Sequence, residues 1–247
     1  LYRTWENFNQ CRSCRMADHL IAVSEGVAVD TARRCRLPAS SICVAHNPVV
    51  SPALLERAQE SPGHDWLESA DEYPPVIMGC GALRRQKDFM TLIRGFAKLR
   101  KTRPCRLIII GEGRQRQRLE ALAGMLGVDR DIDLVGHRHN PHALMARARL
   151  FVLSSRWEGS PNVLTEALAL GIPVVSTDCP SGPREILQDG RLGPLVPIGD
   201  DEAMAAAMER VLDNPPEPQE LRRAAEPYRV ERSVTAYLEA MGLIDDR

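Results

Sequence analysis

The sequence predicts an α/β fold: a Rossmann-like parallel sheet covered by helices on both faces. The first observation is that strand-like runs such as Val76–Cys80 and Leu150–Ser154 are largely apolar, without alternating polar residues. Strands buried on both faces have this pattern. The second is that helical patterns with one apolar face separate these runs. The third is that Gly, Pro and polar residues follow the strands, at the edge of the sheet where ligands bind in such folds.

Seven strands are predicted from short apolar runs bounded by turn residues or charges. They are His19–Val23, Ile42–His46, Val76–Cys80, Arg106–Ile110, Ile132–Val135, Leu150–Ser154 and Pro173–Thr177. Helices are predicted where apolar residues recur at helical spacing between capping signals. They are Asp88–Lys101, Gln115–Leu126, Pro141–Ala148, Pro161–Leu170, Gly182–Leu187, Asp200–Leu212, Gln219–Ala225 and Val230–Met241. A linker is predicted at Asn47–Pro52, and a loop or short helix at Ser61–Pro75.

The composition, net charge and lack of long apolar runs argue against nucleic-acid-binding and membrane-spanning proteins. The chain has 247 residues, 44% of them hydrophobic and 26% charged, with a net charge of −1. This composition is typical of a soluble globular protein and argues against a nucleic-acid partner. No apolar run approaches the roughly 20 residues that span a bilayer. The chain begins at Leu1, without an initiator Met or an apolar leader, so we expect it to be a fragment of a longer protein.

Cysteine usage predicts the redox setting. The 7 cysteines are an odd number and are dispersed along the chain, which favours reduced thiols and a cytosolic location. Cys11-Arg-Ser-Cys14 is a single CxxC motif without a second Cys or His pair at zinc-ligand spacing, so no metal site is predicted there. No strand immediately precedes it, which argues against a thioredoxin-like motif.

The segment Glu158–Glu166 is the most informative part of the sequence for function. It connects the apolar run Leu150–Ser154 to a helix, for which Ser160 is the predicted N-cap and Pro161 the first residue. Free backbone N–H groups at a helix N-terminus bind anions, and the two glutamates can accept hydrogen bonds from hydroxyls. A nucleotide-sugar has both kinds of group. The alternative is a solvated pair of glutamates, although helical spacing places Glu166 at the edge of the apolar face.

Several motifs occur along the chain in a particular order. They are Gly81–Lys87 followed by Asp88-Phe89, Ile108–Gly113, Leu134–Gly136, Phe151–Ser155, Glu158–Glu166, Gly171–Ser176 and Asp178–Ile186. In this order they resemble GT-B glycosyltransferases of the GT4 type, over about residues 15 to 240. Members of that family have two Rossmann-like domains that face each other across a cleft. The N-terminal domain holds the acceptor and the C-terminal domain holds the nucleotide-sugar donor.

The resemblance implies a division of this chain. Residues 1–48 correspond to a remnant of the N-terminal acceptor domain with the linker, and Ser24-Glu-Gly26 resembles a strand-to-helix turn of that domain. Residues 49–226 correspond to the Rossmann-like donor domain, the C-terminal half of a GT-B architecture. Residues 227–247 resemble the helix that crosses back to the acceptor domain. On this basis the fragment alone is expected to be inactive in transfer.

The resemblance also implies roles for individual side chains. Glu158 resembles the glutamate that contacts the donor sugar near its reacting carbon, and Lys87 resembles the lysine that neutralises the diphosphate; these two are the predicted catalytic residues. A point charge of this kind suits an ammonium group. Glu166 resembles the residue that accepts hydrogen bonds from the ribose hydroxyls.

Further donor contacts are implied by the same motifs. Gly159, Ser160, Pro161 and Asn162 resemble the turn whose backbone approaches the diphosphate, where a glycine permits close contact. His137 and Arg138 fall where the backbone of family members meets the base, although His137 is equally compatible with an ordinary loop residue.

The chain departs from the family pattern at one position of the donor site. The family has an arginine that grips the diphosphate directly after the glycine that corresponds to Gly81, and this chain has Ala82 there. Arg84 or Arg85 is the nearest candidate to supply the missing charge. Loss of one charge-assisted hydrogen bond costs about 1.5–3 kcal/mol of donor affinity.

The implied reaction is transfer of a sugar from a nucleoside diphosphate to an acceptor hydroxyl, with retention at the anomeric carbon and no metal or other cofactor. Fixed donors aimed at the developing negative charge can replace a cation. The implied partners are a UDP-sugar rather than a GDP-sugar and a saccharide or lipid-linked acceptor of bacterial surface polysaccharides. The expected location is the cytoplasm, with peripheral association at the inner face of the membrane.

Three other functions remain compatible with the sequence. A non-catalytic donor-binding subunit agrees with Ala82 and with an incomplete acceptor domain. A nucleotide-sugar 2-epimerase shares the fold, but the spaced glutamates and the turn at Gly159 fit it less well. A dinucleotide dehydrogenase fits least, because Gly111-Glu-Gly113 follows a strand but Arg116 stands where the third glycine of the fingerprint is required.

Overall fold

The computed structural model describes residues 10–68 and 73–244. Both chain ends, and residues 69–72 of the connection predicted at Ser61–Pro75, lie outside the described residues. The strands form two parallel sheets, one of two strands and one of six. The two-stranded sheet pairs β1 (Leu20–Ala22) with β2 (Ile42–Val44), and helix α2 (Glu25–Cys35) connects them. Residues 10–16 form helix α1.

The six-stranded sheet has the order β5-β4-β3-β6-β7-β8. Its strands are β3 (Val76–Cys80), β4 (Arg106–Ile110), β5 (Ile132–Gly136), β6 (Leu150–Leu153), β7 (Val174–Thr177) and β8 (Leu195–Val196). The remaining helices are α3 (Pro52–Arg57), α4 (Asp65–Glu68), α5 (Phe89–Arg100), α6 (Arg116–Met125), α7 (Pro141–Met145), α8 (Asn162–Leu170), α9 (Pro183–Ile186), α10 (Asp201–Asp213), α11 (Pro218–Ala224) and α12 (Val230–Ala240). No helix in the described ranges is both long and apolar enough to cross a membrane.

Both faces of the six-stranded sheet are buried. On β3, Ile77 and Met78 are fully buried and point into different clusters, since neighbouring side chains of a strand face opposite sides. Met78 packs with Phe151 and the apolar face of α8, whereas Ile77 packs with Phe96 of α5 and with α10. The predicted fold class, a Rossmann-like parallel sheet covered on both faces, is confirmed.

Most predicted elements occur within one or two residues of their predicted bounds, and the differences have local causes. Strand β8 was not predicted because its two residues lie between Pro194 and Pro197 and are too few to show a pattern. Helix α3 lies just after the predicted linker and begins where the Ser51 side chain accepts a hydrogen bond from the Leu54 N–H. The prediction that Ser160 caps α8 is wrong: Pro161 is extended at φ −74° and ψ 94°, so the helix begins at Asn162.

A disulfide corrects the prediction that all thiols are reduced. Cys11 of α1 is bonded to Cys35 at the end of α2, with their Cα atoms 4.8 Å apart. This separation lies in the usual range for a disulfide, and it arises because α1 packs against the end of α2. The Arg15 guanidinium also donates to the Cys35 carbonyl oxygen at 2.9 Å. Cys11 of the CxxC motif is therefore bonded to Cys35, and Cys14 of the motif is free.

The C-terminal part of the chain returns to the predicted linker. Val50 and Arg229 form a parallel bridge, and the Val49 and Val50 N–H groups both donate to the Tyr228 carbonyl oxygen, at 3.0 and 2.9 Å. The rings of His46 and Tyr228 lie 4.7 Å apart. These contacts hold the start of α12 beside the linker. The division at residues 48 and 226 remains a prediction.

Candidate donor site

The candidate site lies at the carboxyl ends of β3, β4, β6 and β7. Two of the loops there touch through glycines: a Cβ on Gly111 would lie 2.0 Å from the Gly81 carbonyl oxygen, and Gly111 has a φ of +141°. Gly81 also has a positive φ, +149°, and a Cβ there would lie 2.9 Å from Cε of Lys87. The glycine predicted at this position therefore lets the Lys87 side chain lie across its own loop.

Glu158 is the centre of a polar cluster. Its Oε1 atom accepts hydrogen bonds from Lys87 Nζ and from Ser155 Oγ, both at 2.6 Å. The exposed fractions of the Lys87 and Glu158 side chains are 17% and 8%. Gln86 Nε2 lies 3.5 Å from the other carboxylate oxygen, Oε2, and 3.1 Å from the Trp157 carbonyl oxygen. One oxygen of Glu158 is thus fully engaged, and the other has one long contact.

The loop that carries Lys87 is attached to the end of β6. Ser154, which is buried, donates from Oγ to the Lys87 carbonyl oxygen at 2.6 Å. The Arg156 N–H donates to the Gln86 carbonyl oxygen at 2.7 Å. These bonds fix the backbone on both sides of the Lys87–Glu158 pair, so the pair is held by strand ends rather than by free loops.

Glu166 lies one and a half turns into α8, half-buried, as the helical spacing predicts. His142 of α7 approaches its Oε2 atom at 3.5 Å, and the exposed fractions of these side chains are 15% for His142 and 19% for Glu166. Cys80 lies at the end of β3. The pKa of Cys80 is raised to about 12, mainly by burial and also by the charge of Glu166, while the charge of Lys87 acts in the opposite direction. The charges of Lys87 and Glu166 therefore both affect the Cys80 thiol.

The turn from Gly159 to Asn162 is fixed by the two-stranded sheet. Ser24 caps α2 by accepting a hydrogen bond from the Val27 N–H at 3.2 Å, and its hydroxyl donates to the Gly159 carbonyl oxygen at 2.8 Å. Asn47 Nδ2 donates to Asn162 Oδ1 at 2.8 Å. Pro161 is buried against Gly182. Among residues 10–68 and 73–244, the N–H groups of Gly159 and Ser160 have no protein acceptor.

The remaining predicted residues lie at other parts of the rim. His137 and Arg138 follow β5. His137 is exposed, and Arg138 Nε is buried without a hydrogen-bond partner in the described part of the chain. Arg84 is exposed and lines a different cleft, with Arg85 and Arg114. The structure thus brings Lys87, Glu158 and the 159–162 turn together beside Glu166.

Three site residues were not predicted: Ser155, Gln86 and His142. Ser155 directly follows the apolar run of β6, and Gln86 precedes Lys87, so both fall where polar residues at strand ends were expected. The rule that ligands bind at the carboxyl ends of strands could have indicated them. His142 gave no signal, because its contact with Glu166 depends on how α7 and α8 pack. The described residues hold no group of three or more His, Cys, Asp or Glu placed to bind a metal ion.

Iodoacetamide is expected to modify Cys43 but to spare Cys80, Cys105 and Cys179 in the folded protein at pH 8. Cys43 is exposed. Burial raises the pKa of Cys80 to about 12 and those of Cys105 and Cys179 to about 11, so the neutral thiol persists. At pH 8 the reactive thiolate is then about 0.1% or less of each of these three thiols. Peptide mass spectrometry measures the labelling, and equal rates at Cys43 and Cys80 would contradict the burial of the site.

The fold and the rim define a class of protein. A parallel sheet covered on both faces, with a turn of free amides, a lysine and carboxylates at its carboxyl edge, is typical of a Rossmann-like domain that binds an anionic ligand such as a nucleotide. Residues 65–227 match the family described as glycosyl transferases group 1. The match covers more than half of the chain, and the chain belongs to this family.

Curated relatives carry related names. Lipopolysaccharide 1,6-galactosyltransferase of Salmonella typhimurium is 29% identical over 202 residues, which are 79% of this chain and 53% of that protein. An uncharacterized glycosyltransferase of Methanocaldococcus jannaschii is 42% identical over 113 residues, 45% of this chain and 28% of that protein. An N-acetylgalactosaminyltransferase of Campylobacter jejuni, named for a diphospho-undecaprenol substrate, is 34% identical over 155 residues. These residues are 63% of this chain and 42% of that protein. The chain thus spans less than two thirds of the length of each.

Solved structures share the fold. The apo form of the lipopolysaccharide outer core galactosyltransferase WaaB is 25% identical, with a TM-score of 0.74, and the match covers 92% of this chain and 62% of that one. Anabaena HepE in complex with UDP and glucose is 18% identical, with a TM-score of 0.79. The match covers 96% of this chain and 68% of that one. These matches agree with the GT-B resemblance predicted from the sequence.

Proposed function

We propose that this chain is the donor-binding part of a retaining glycosyltransferase, which moves a sugar from a nucleoside diphosphate to an acceptor hydroxyl. The observation that carries the proposal is the cluster of Lys87, Glu158 and the 159–162 turn beside Glu166. Each group matches one part of a nucleotide-sugar: an ammonium and free amides for the diphosphate, and carboxylates for hydroxyl groups.

The donor lies across the carboxyl edge of the sheet in this proposal. Glu166 accepts hydrogen bonds from the ribose, and the base extends toward His137 and Arg138 after β5. The diphosphate takes the free N–H groups of Gly159 and Ser160, near the start of α8, together with Lys87. Gly81 leaves the space that the Lys87 side chain occupies, and its backbone borders the same region. The sugar then lies next to Glu158.

Transfer begins when the bond from the anomeric carbon to the diphosphate oxygen breaks. The acceptor hydroxyl oxygen then bonds to the anomeric carbon on the same face, and its proton passes to the departing diphosphate oxygen. Negative charge grows on the departing diphosphate, and Lys87 and the turn amides stabilise it because they are already oriented toward that space. Positive charge grows at the anomeric carbon, and the carboxylate of Glu158 stabilises it. Lys87 gives up its ion pair with Glu158 to meet the diphosphate, so the charge of Glu158 is no longer offset when positive charge develops on the sugar. We expect the reaction to need no metal ion.

The acceptor is proposed to reach Glu158 from the side of α2. A cleft of about 190 Å³ opens there, lined by residues that include Asp30, Thr31, Ser181 and Glu158. Their carboxylates and hydroxyls suit a saccharide. The names of the relatives favour acceptors of bacterial surface polysaccharides, including lipid-linked ones, and UDP is bound in structurally similar proteins. We therefore propose a UDP-sugar donor and such an acceptor, met at the inner face of the membrane.

A non-catalytic donor-binding subunit is the second candidate. The observation that favours it is Ala82, which removes the family arginine from the diphosphate site, while Arg84 lines another cleft. Both candidates require donor binding and differ in turnover. Sugar transfer to an added acceptor by a longer form that includes the whole acceptor domain, with loss of transfer on Glu158→Gln, would support the enzyme over the binding subunit.

Glu166→Ala is expected to weaken binding of UDP by about tenfold or more, because a charge-assisted hydrogen bond to the ribose is lost. Calorimetric titration with UDP, GDP and their sugar conjugates, in EDTA, measures this. Glu209→Ala, an exposed glutamate on α10, is the matched control and should leave binding unchanged. Absence of nucleotide binding, or equal binding by both variants, would contradict the proposed donor site.

A further inference from the structure

Two neighbouring loops carry three arginines that lie apart from the Glu158 cluster. Arg84 and Arg85 follow β3, Arg114 follows β4, and all three side chains are exposed. With Gly113 and Gln115 they line a cleft of about 490 Å³, here called the arginine cleft. Lys87, Glu158 and Glu166 do not line it. The cleft nevertheless lies on the same edge of the sheet as the donor site.

The two loops are brought together by close backbone packing. The Leu83 N–H donates to the Glu112 carbonyl oxygen at 2.9 Å, and the Gln115 N–H donates to the Leu83 carbonyl oxygen at 3.1 Å. A Cβ on Gly113 would lie 2.5 Å from that Leu83 oxygen, so this approach requires glycine. This packing brings the arginines of two separate loops to the lining of one cleft.

The nearby carboxylates are already paired with other cations. Glu112 accepts a hydrogen bond from Arg116 Nη2 at 2.6 Å. This bond lowers the pKa of Glu112, so the carboxylate stays ionised and paired with Arg116. Asp88 accepts from Arg156 Nη1 at 2.8 Å. Within the described ranges none of the three arginines of the cleft makes an ion pair with a carboxylate. The arginine cleft thus gathers three like charges, which favours an anion between them.

We propose that the arginine cleft is a second anion site, which binds a phosphate or diphosphate group while the donor site is occupied. The guanidinium fork matches pairs of phosphate oxygens, and arginines are favoured wherever such groups are recognised. The cleft is open and borders the edge at which a donor would react. It therefore suits a phosphate carried by a second molecule, either a free one or a lipid headgroup. Simultaneous occupancy rests on the proposed donor site, whereas the anion site itself depends on neither that site nor the transfer reaction.

The test compares two triple variants of equal charge. One variant combines Arg84→Gln, Arg85→Gln and Arg114→Gln. The control combines Arg130→Gln, Arg210→Gln and Arg232→Gln, three exposed arginines that do not line this cleft. Inorganic pyrophosphate is titrated with UDP held at saturation. The cleft variant is expected to bind pyrophosphate at least about thirtyfold more weakly than wild type and the control. Equal affinity in all three, or no binding by wild type, would overturn the proposal.

The same proteins distinguish the outcomes. If UDP does not bind, the proposed donor site fails, but a loss of pyrophosphate binding confined to the cleft variant still supports the second anion site. Sedimentation with vesicles identifies whether the bound phosphate belongs to a lipid headgroup or to a free molecule. Vesicles of phosphatidylglycerol and phosphatidylcholine are compared with vesicles of phosphatidylcholine alone. Binding to the anionic vesicles that the cleft variant loses indicates a headgroup, whereas pyrophosphate binding alone indicates a free phosphate. Vesicle binding equal in both triple variants, with unchanged pyrophosphate affinity, would overturn the cleft as a site.

Discussion

Lys87→Met is expected to lower the free energy of unfolding by about 3–5 kcal/mol, the cost of leaving one partner of a buried ion pair without the other. Lys87 and Glu158 are 17% and 8% exposed, and their atoms Nζ and Oε1 are 2.6 Å apart. Methionine fills a similar volume but carries no charge, so Glu158 keeps only Ser155 and the long contact from Gln86. Urea denaturation followed by circular dichroism measures the loss.

Two further variants test whether the loss comes from the unpaired carboxylate. Lys101→Met changes an exposed lysine at the end of α5 and should alter the stability by no more than about 0.5 kcal/mol. Glu158→Gln added to Lys87→Met removes the buried charge and should recover part of the loss. An equal stability for Lys87→Met and Lys101→Met would show that the ion pair does not stabilise the site.

Gly111→Ala is expected to cost about 4 kcal/mol of stability, through backbone strain and overpacking together. Gly111 has a φ of +141°, and a Cβ there would lie 2.0 Å from the Gly81 carbonyl oxygen. The obstacle is backbone on both sides, which no side-chain rotation relieves. Because these loops border the donor site, the variant should also lose UDP binding. Thermal unfolding and the titration described above measure both effects.

Gly124→Ala is the control for Gly111→Ala. Gly124 lies in α6, and a Cβ there would meet nothing within 4 Å. Alanine is preferred over glycine in helices, so this change should raise the stability by about 0.5–1 kcal/mol. If both glycine variants were equally stable, the contact between the loops would be looser than the structure indicates.

The parallel sheet was predictable because its strands are buried on both faces. Strands β3 and β4 have the bounds expected from the sequence, since four consecutive residues in each are buried. The two residues of β8 are too few for any periodicity. The disulfide from Cys11 to Cys35 was not predictable, because cysteine spacing does not reveal which helices pack together.

The candidate site was predictable at the level of motifs but not of contacts. Glu158 and Glu166 stood out from their positions around a helix start. The direct pairing of Glu158 with Lys87 joins residues 71 positions apart and depends on the neighbouring strands β3 and β6. His142 meets Glu166 only because α7 packs on α8. Such long-range contacts leave no periodic trace in the sequence.

A crystal structure of the protein with a UDP-sugar tests the central claim most directly. We expect diphosphate oxygens within about 3 Å of Lys87 Nζ and of the Gly159 and Ser160 nitrogens, and ribose hydroxyls within about 3 Å of the Glu166 carboxylate. The sugar should lie against Glu158, without a metal ion on the diphosphate. A nucleotide found elsewhere, for example in the arginine cleft with Lys87 still paired to Glu158, would contradict the assignment of the donor site.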